Sequence, residues 1–100
     1  MNNIYTQKMV QADALVKTGA GKLHTLTFTC NDAAPTAGSI SVFDSITEAG
    51  TAALSTLIYS ETFTTTAFRG FSVVLDCEFK NGLYVGFTTT ADVNVTVSYN

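Results

Sequence analysis

The nine residues Phe71 to Phe79, "FSVVLDCEF", constrain this chain more than any other stretch. Phe71, Val73, Leu75, Cys77 and Phe79 alternate with Ser72, Val74, Asp76 and Glu78. Side chains of period two belong to a strand with one face buried and one face wet. The pattern resumes at Leu83, Val85 and Phe87, and again at Val93, Val95, Val97 and Tyr99. A helix over any of these runs would scatter the apolar residues around its circumference. Between the first two runs lies Lys80-Asn81-Gly82. A two-residue turn there would put the apolar rows on opposite faces of a hairpin, a slip that a half-buried sheet avoids. A three-residue loop with Gly82 in the left-handed region restores the parity. Phe79 would then pair with Leu83, Cys77 with Val85 and Leu75 with Phe87.

Further strands are expected at about 11–17, 22–30, 39–43 and 57–63, each bounded by turn residues. In 22–30, alternation sets His24 beside Leu26, Phe28 and Cys30, opposite Thr25, Thr27 and Thr29. The segment 31–38, "NDAAPTAG", holds the only proline and reads as a loop. In 44–53, Ser45 and Glu48 fit a capping box with Gly50 as a stop, so one helical turn or a plain loop is expected. Seven or eight short strands with little helix predict an all-β chain: a single antiparallel β-sandwich, jelly-roll-like. One hundred residues suffice for one such domain. We place it at 11–100. Residues 1–10, "MNNIYTQKMV", follow neither period and are expected to form a short N-terminal arm. Its apolar Ile4, Tyr5, Met9 and Val10 would lie on a neighbouring subunit, or else belong to a frayed end.

Several functions lose support at this stage. "TGAGK" suggests a phosphate loop, but Val16 stands where the Walker pattern needs glycine, and Leu23 where it needs Ser or Thr. The following residues are also strand formers, and a P-loop must open a helix. With net charge −3 and five scattered cations, the chain has no stripe to neutralise phosphates, so no nucleic-acid partner is expected. No apolar run approaches the roughly 20 residues of a membrane span, and no secretion signal is evident. His24 is the only histidine, so a site needing two His ligands in one chain is excluded. No nucleophile sits in a recognisable catalytic turn. Asp76 and Glu78 share one strand face, where calcium or glycosidic chemistry competes with a plain solvated surface. No catalytic residue, metal or cofactor is therefore expected.

Cys30 and Cys77 are too few for a disulfide scaffold; they read as buried thiols, with a cross-sheet bridge as the alternative. Arg69, in "FRGF" between Phe68 and Phe71, can stack and bond across an interface, or pack on its own aromatic neighbours. Only 13% of residues are charged against 46% hydrophobic. Such a balance suits a subunit whose apolar surface is covered by partners.

"ALVKTGAGKLHTLTF", "GSISVFDSITEAGT", "LIYSETF" and "FSVVLDCEFKNGLYVGFTTTADVNVTVSYN" together resemble a family of small tailed-phage virion proteins. The resemblance spans about Ala14 to Tyr99. It rests on the "TGAG-x-LH" turn and strand, a hydrophobic-x-Asp strand end, the "F-x-NGL-x-V" segment and the terminal "ADVNVTVSY" strand. It implies a β-sandwich capsid decoration (cement) protein made in the bacterial host cytoplasm and bound to the outer surface of the major capsid protein lattice. The family also suggests a homo-oligomer, with a trimer favoured. A receptor- or glycan-binding module of a phage head or tail fibre is the alternative. The matching pattern carries no catalytic residue. Ile4, Tyr5, Met9, Val10 and Arg69 stand as the expected assembly residues.

Overall fold

The computed structural model describes residues 5–30, 37–46, 57–65, 69–88 and 93–100. Eight strands occupy them: β1 (Thr6–Val10), β2 (Ala14–Thr18), β3 (Gly21–Cys30), β4 (Gly38–Phe43), β5 (Leu57–Phe63), β6 (Phe71–Phe79), β7 (Gly82–Thr88) and β8 (Val93–Tyr99). They form two four-stranded antiparallel sheets in the orders β1-β8-β3-β6 and β2-β7-β4-β5. The first strand pairs with the eighth, the second with the seventh, the third with the sixth and the fourth with the fifth. This is the pairing of one long hairpin folded at β4–β5 and rolled until its ends meet across β8–β3 and β7–β4. Of the consecutive strands, only β4 and β5 are neighbours in one sheet; every other connection crosses between sheets. The helical turn expected within 44–53 falls largely outside the described residues.

The alternating apolar residues meet between the sheets. Leu23, Leu26 and Phe28 of β3 and Val93, Val95 and Val97 of β8 face Ile40 and Val42 of β4 and Leu83 and Val85 of β7. All ten are fully buried, each contributing about 1.5–3 kcal/mol relative to exposure. Aromatic rings close one end, with Phe28 centred 5.1 Å from Phe71 and 5.5 Å from Phe63.

Two expectations need correction. The first is the arm. Thr6–Val10 is a sheet strand, registered on β8 from Thr6↔Tyr99 to Val10↔Val95. Val10 is 5% exposed and belongs to the core, so the domain does not begin at residue 11. The strand lacks a visible period because it lies at the sheet edge. Lys8, two residues before Val10 and on its side of the pleat, already overhangs the core and is exposed.

The second correction concerns 71–88. β6 and β7 do not form a hairpin, since Phe79 pairs with Gly21, whereas Leu83 pairs with Lys17 and Val85 with Ala14 and Val42. The turn at Lys80-Asn81 is an arch between sheets. Both apolar rows still face inward, because strands in opposite sheets look at one core. Gly82 is not a left-handed residue here; among the described glycines only Gly19, at φ 90°, takes that conformation. Gly82 is needed for close packing instead. A Cβ there would stand 2.8 Å from the Lys17 carbonyl oxygen and 2.5 Å from Ile46 Cγ2.

Candidate functional site

Gly19 and Ala20 of "GAGK" form the arch from β2 to β3, which lies against the β6–β7 arch. The Gly19 amide donates to the Asn81 carbonyl across 3.0 Å. Asp44, just after β4, ties the second arch down. Its carboxylate accepts from the amides of Lys80 (3.0 Å), Asn81 (2.7 Å) and Gly82 (3.3 Å). Burial pushes this carboxyl up, but the three amides and the Lys80 charge outweigh it and hold it below the ordinary 3.8. This arrangement occupies Asp44 fully in structure.

His24 does not sit beside Leu26 and Phe28 as alternation requires. The register shifts between Leu23 and Thr25 against both β6 and β8. Where β3 has His24 and Thr25 between its inward Leu23 and Leu26, β6 has Val74, Leu75 and Asp76 between Val73 and Cys77. The irregularity turns the imidazole outward, and Asp76 takes φ 46°, a left-handed conformation that Asp tolerates better than most residues. Nδ1 of His24 then donates to Asp76 Oδ1, and the Tyr5 ring stacks on the imidazole at 4.4 Å and 14°. Tyr5, just before β1, thus joins His24 of β3 and Asp76 of β6 on the outer face of the first sheet.

The rest of that face is a lattice of hydroxyls. One row runs Met9, Thr96, Thr27, Ser72, and the next runs Gln7, Ser98, Thr25, Val74. Thr27 and Ser72 share a hydrogen bond of 2.8 Å. Met9 is 56% exposed and Val74 65% exposed, so an uncharged surface with two apolar projections faces outward. Among the described residues, the charged cross-strand pairs lie at one end, His24 with Asp76 and Lys22 opposite Glu78, and Arg69 stands just before β6 at the other. Asp76 and Glu78 do share the outer face, with His24 and Lys22 as their cross-strand neighbours.

The expected assembly residues are not gathered into one patch. Ile4 lies outside the described residues, as does Phe68 beside Arg69. Tyr5 is held by His24, and Val10 is committed to the chain's own core, so it cannot serve a partner. Met9 and Arg69 are exposed but flank opposite edges of the first sheet, three strand spacings or roughly 14 Å apart. Sequence reasoning missed Val74 and the hydroxyl rows, although "TLTFT" and "NVTVS" carried their outward positions.

Neither cysteine is in a disulfide. Both lie in the first sheet, and Cys30 is seven residues along β3 from the partner of Cys77, roughly 23 Å. A bridge needs Cα atoms within about 7 Å. Both thiols are partly rather than fully buried. Burial pushes the Cys77 thiol up, and the charges of Asp76 and Asp44 push the same way, which disfavours the reactive thiolate.

Among the described residues, no three His, Cys, Asp or Glu side chains gather as a metal set, and no helix is long and apolar enough to cross a membrane. No protein-family model, curated protein or solved structure matches this chain.

Proposed function

We propose that this chain is a structural subunit of a tailed-phage virion, a cement protein that docks on the outer surface of the capsid lattice. The observation that carries this reading is the outer face of the first sheet. Interfaces are depleted of charge at their centre and ringed by polar groups. The rows from Met9 to Ser72 and from Gln7 to Val74 have that composition, with the charged pairs confined to one end. The strand order supports the same reading. We interpret the rolled pairing as the eight-stranded jelly roll, an architecture that includes viral capsid domains. That support is an analogy of fold. The resemblance over 14–99 adds to it.

Docking through a flat, hydroxylated sheet leaves the second sheet facing outward. We further propose that the protein acts as a homo-oligomer, with a trimer favoured, which light scattering would measure directly. The central test is co-sedimentation with expanded capsids prepared without the protein. Wild type should bind and delay thermal rupture of the shell, whereas Val74→Lys combined with Thr27→Arg should not. Equal binding by the double variant would overturn the assignment of the face. No binding by wild type would overturn the cement role itself.

A further inference from the structure

A groove of about 220 Å³ opens on the outer face of the second sheet, lined by Asp13, Ser41, Phe43, Tyr84, Gly86 and Phe87. We propose that it binds one unit of a neutral saccharide. The inference goes beyond the capsid role and does not depend on it.

The groove is built rather than incidental. Asp13 lies between β1 and β2, and its Oδ1 accepts from the Phe87 amide at 2.7 Å, which fixes the carboxylate against β7. Ser41 on β4 shares a 2.9 Å hydrogen bond with Ser60 on β5, so its hydroxyl is also oriented. Phe43 and Tyr84 are direct cross-strand partners, and both are buried although neither belongs to the inter-sheet core. Gly86 sits opposite Ser41, and a Cβ there would come within 3.7 Å of the Phe43 ring. Glycine therefore leaves room over the ring edge that any side chain would fill.

The chemistry of this lining selects its ligand by elimination. Nothing in it is cationic, and Asp13 repels anions, so phosphates and acidic sugars are disfavoured. A single carboxylate is too few for calcium, which takes six to eight oxygens. The volume is below the roughly 300 Å³ of sites for drug-sized ligands. What remains is a small neutral ligand whose hydroxyls donate to Asp13 and Ser41, with a C–H edge for the narrow margins that the buried Phe43 and Tyr84 still expose. A pyranose offers both on one ring.

The test is a titration of the intact protein, followed by amide chemical shifts. The probes are the methyl glycosides of glucose, galactose and mannose, and N-acetylglucosamine, at millimolar concentration. At least one should shift the amides of Ser41, Gly86 and Phe87 saturably. Gly86→Leu, which fills the groove, should weaken that binding roughly tenfold or more. Asp13→Asn keeps an oxygen for the Phe87 amide and serves as the second variant should Gly86→Leu misfold; it should weaken binding severalfold. Silence toward all four sugars would overturn the proposal. So would shifts centred elsewhere, sugar binding untouched by both variants, or the same shifts from calcium chloride alone. Failure to bind capsids leaves these outcomes unchanged, so the two readings fail separately.

Discussion

The two outer faces of the sandwich rest on one core yet differ in kind. On the first sheet, rows of small threonine and serine side chains are half-buried at Thr25, Thr27 and Thr96 and buried at Ser98, and the apolar Met9 and Val74 stand above them. On the second, Phe43 and Tyr84 are sunk beside a glycine, so the surface is hollowed. The difference comes from outward positions, since the inward positions of both sheets are filled mainly by Val, Leu and Phe. A β-sandwich therefore carries two surfaces that sequence change can alter one at a time. A flat face suits a broad partner, and a hollow suits a small ligand.

That independence can be broken most severely by removing residues 1–10. The first sheet loses its edge strand, the burial of Val10 and the hydrogen bonds to β8. At about 1.5–3 kcal/mol for the side chain and 0.5–1.5 kcal/mol per bond, the loss should reach about 3–6 kcal/mol in denaturant unfolding. An unchanged midpoint would restore the view of this segment as an arm. Gly82→Val attacks the second sheet at its arch and should cost about 2–3 kcal/mol by overpacking, read as a fall in Tm. A tolerated valine would mean that the close approach to Lys17 and Ile46 relaxes freely.

Asp44→Ala acts on the link between the sheets and should cost about 1–3 kcal/mol by leaving the arch amides without their acceptor. The same bond gives a pH signature. Because the folded carboxyl titrates below its ordinary 3.8, its contribution is complete above that value. It drains away as pH falls through the lower folded value. Wild type should therefore lose stability relative to Asp44→Asn below about pH 4, and the two curves should run parallel above pH 5. Smallest of all should be Val74→Lys on the flat face. Stability should stay within about 0.5 kcal/mol, with any loss confined to capsid docking and none at the groove.

The strands from β4 to β8 were legible almost to the residue, because uninterrupted alternation admits no other period. Four features were not. Alternation along 71–88 is the same for a hairpin and for an arch, since both point the apolar rows at one core; only the partners of Phe79 and Leu83 differ. β1 buries one side chain of five, too few to mark a period. The outward turn of His24 depends on a mismatch in residue count between β3 and its neighbours, which no single strand reveals. Its partner Asp76 is 52 residues away, and nothing local couples the two. The groove was equally hidden, because Asp13, Ser41 and Gly86 meet only through the rolled topology.

The rolled pairing also sets an order of assembly. β4 and β5 are the only consecutive strands that are sheet neighbours, so they can form first with the least loss of chain entropy. Each later pair, 3 with 6, 2 with 7 and 1 with 8, encloses the one before it, so every step closes a gap already shortened by its predecessor. Folding can then run as a zipper from the middle of the chain outward, despite the high contact order that usually makes such sheets slow. The edge strand β1 would be the last to seat and the first to peel, which places the reversible opening of the molecule on the border of its flat face.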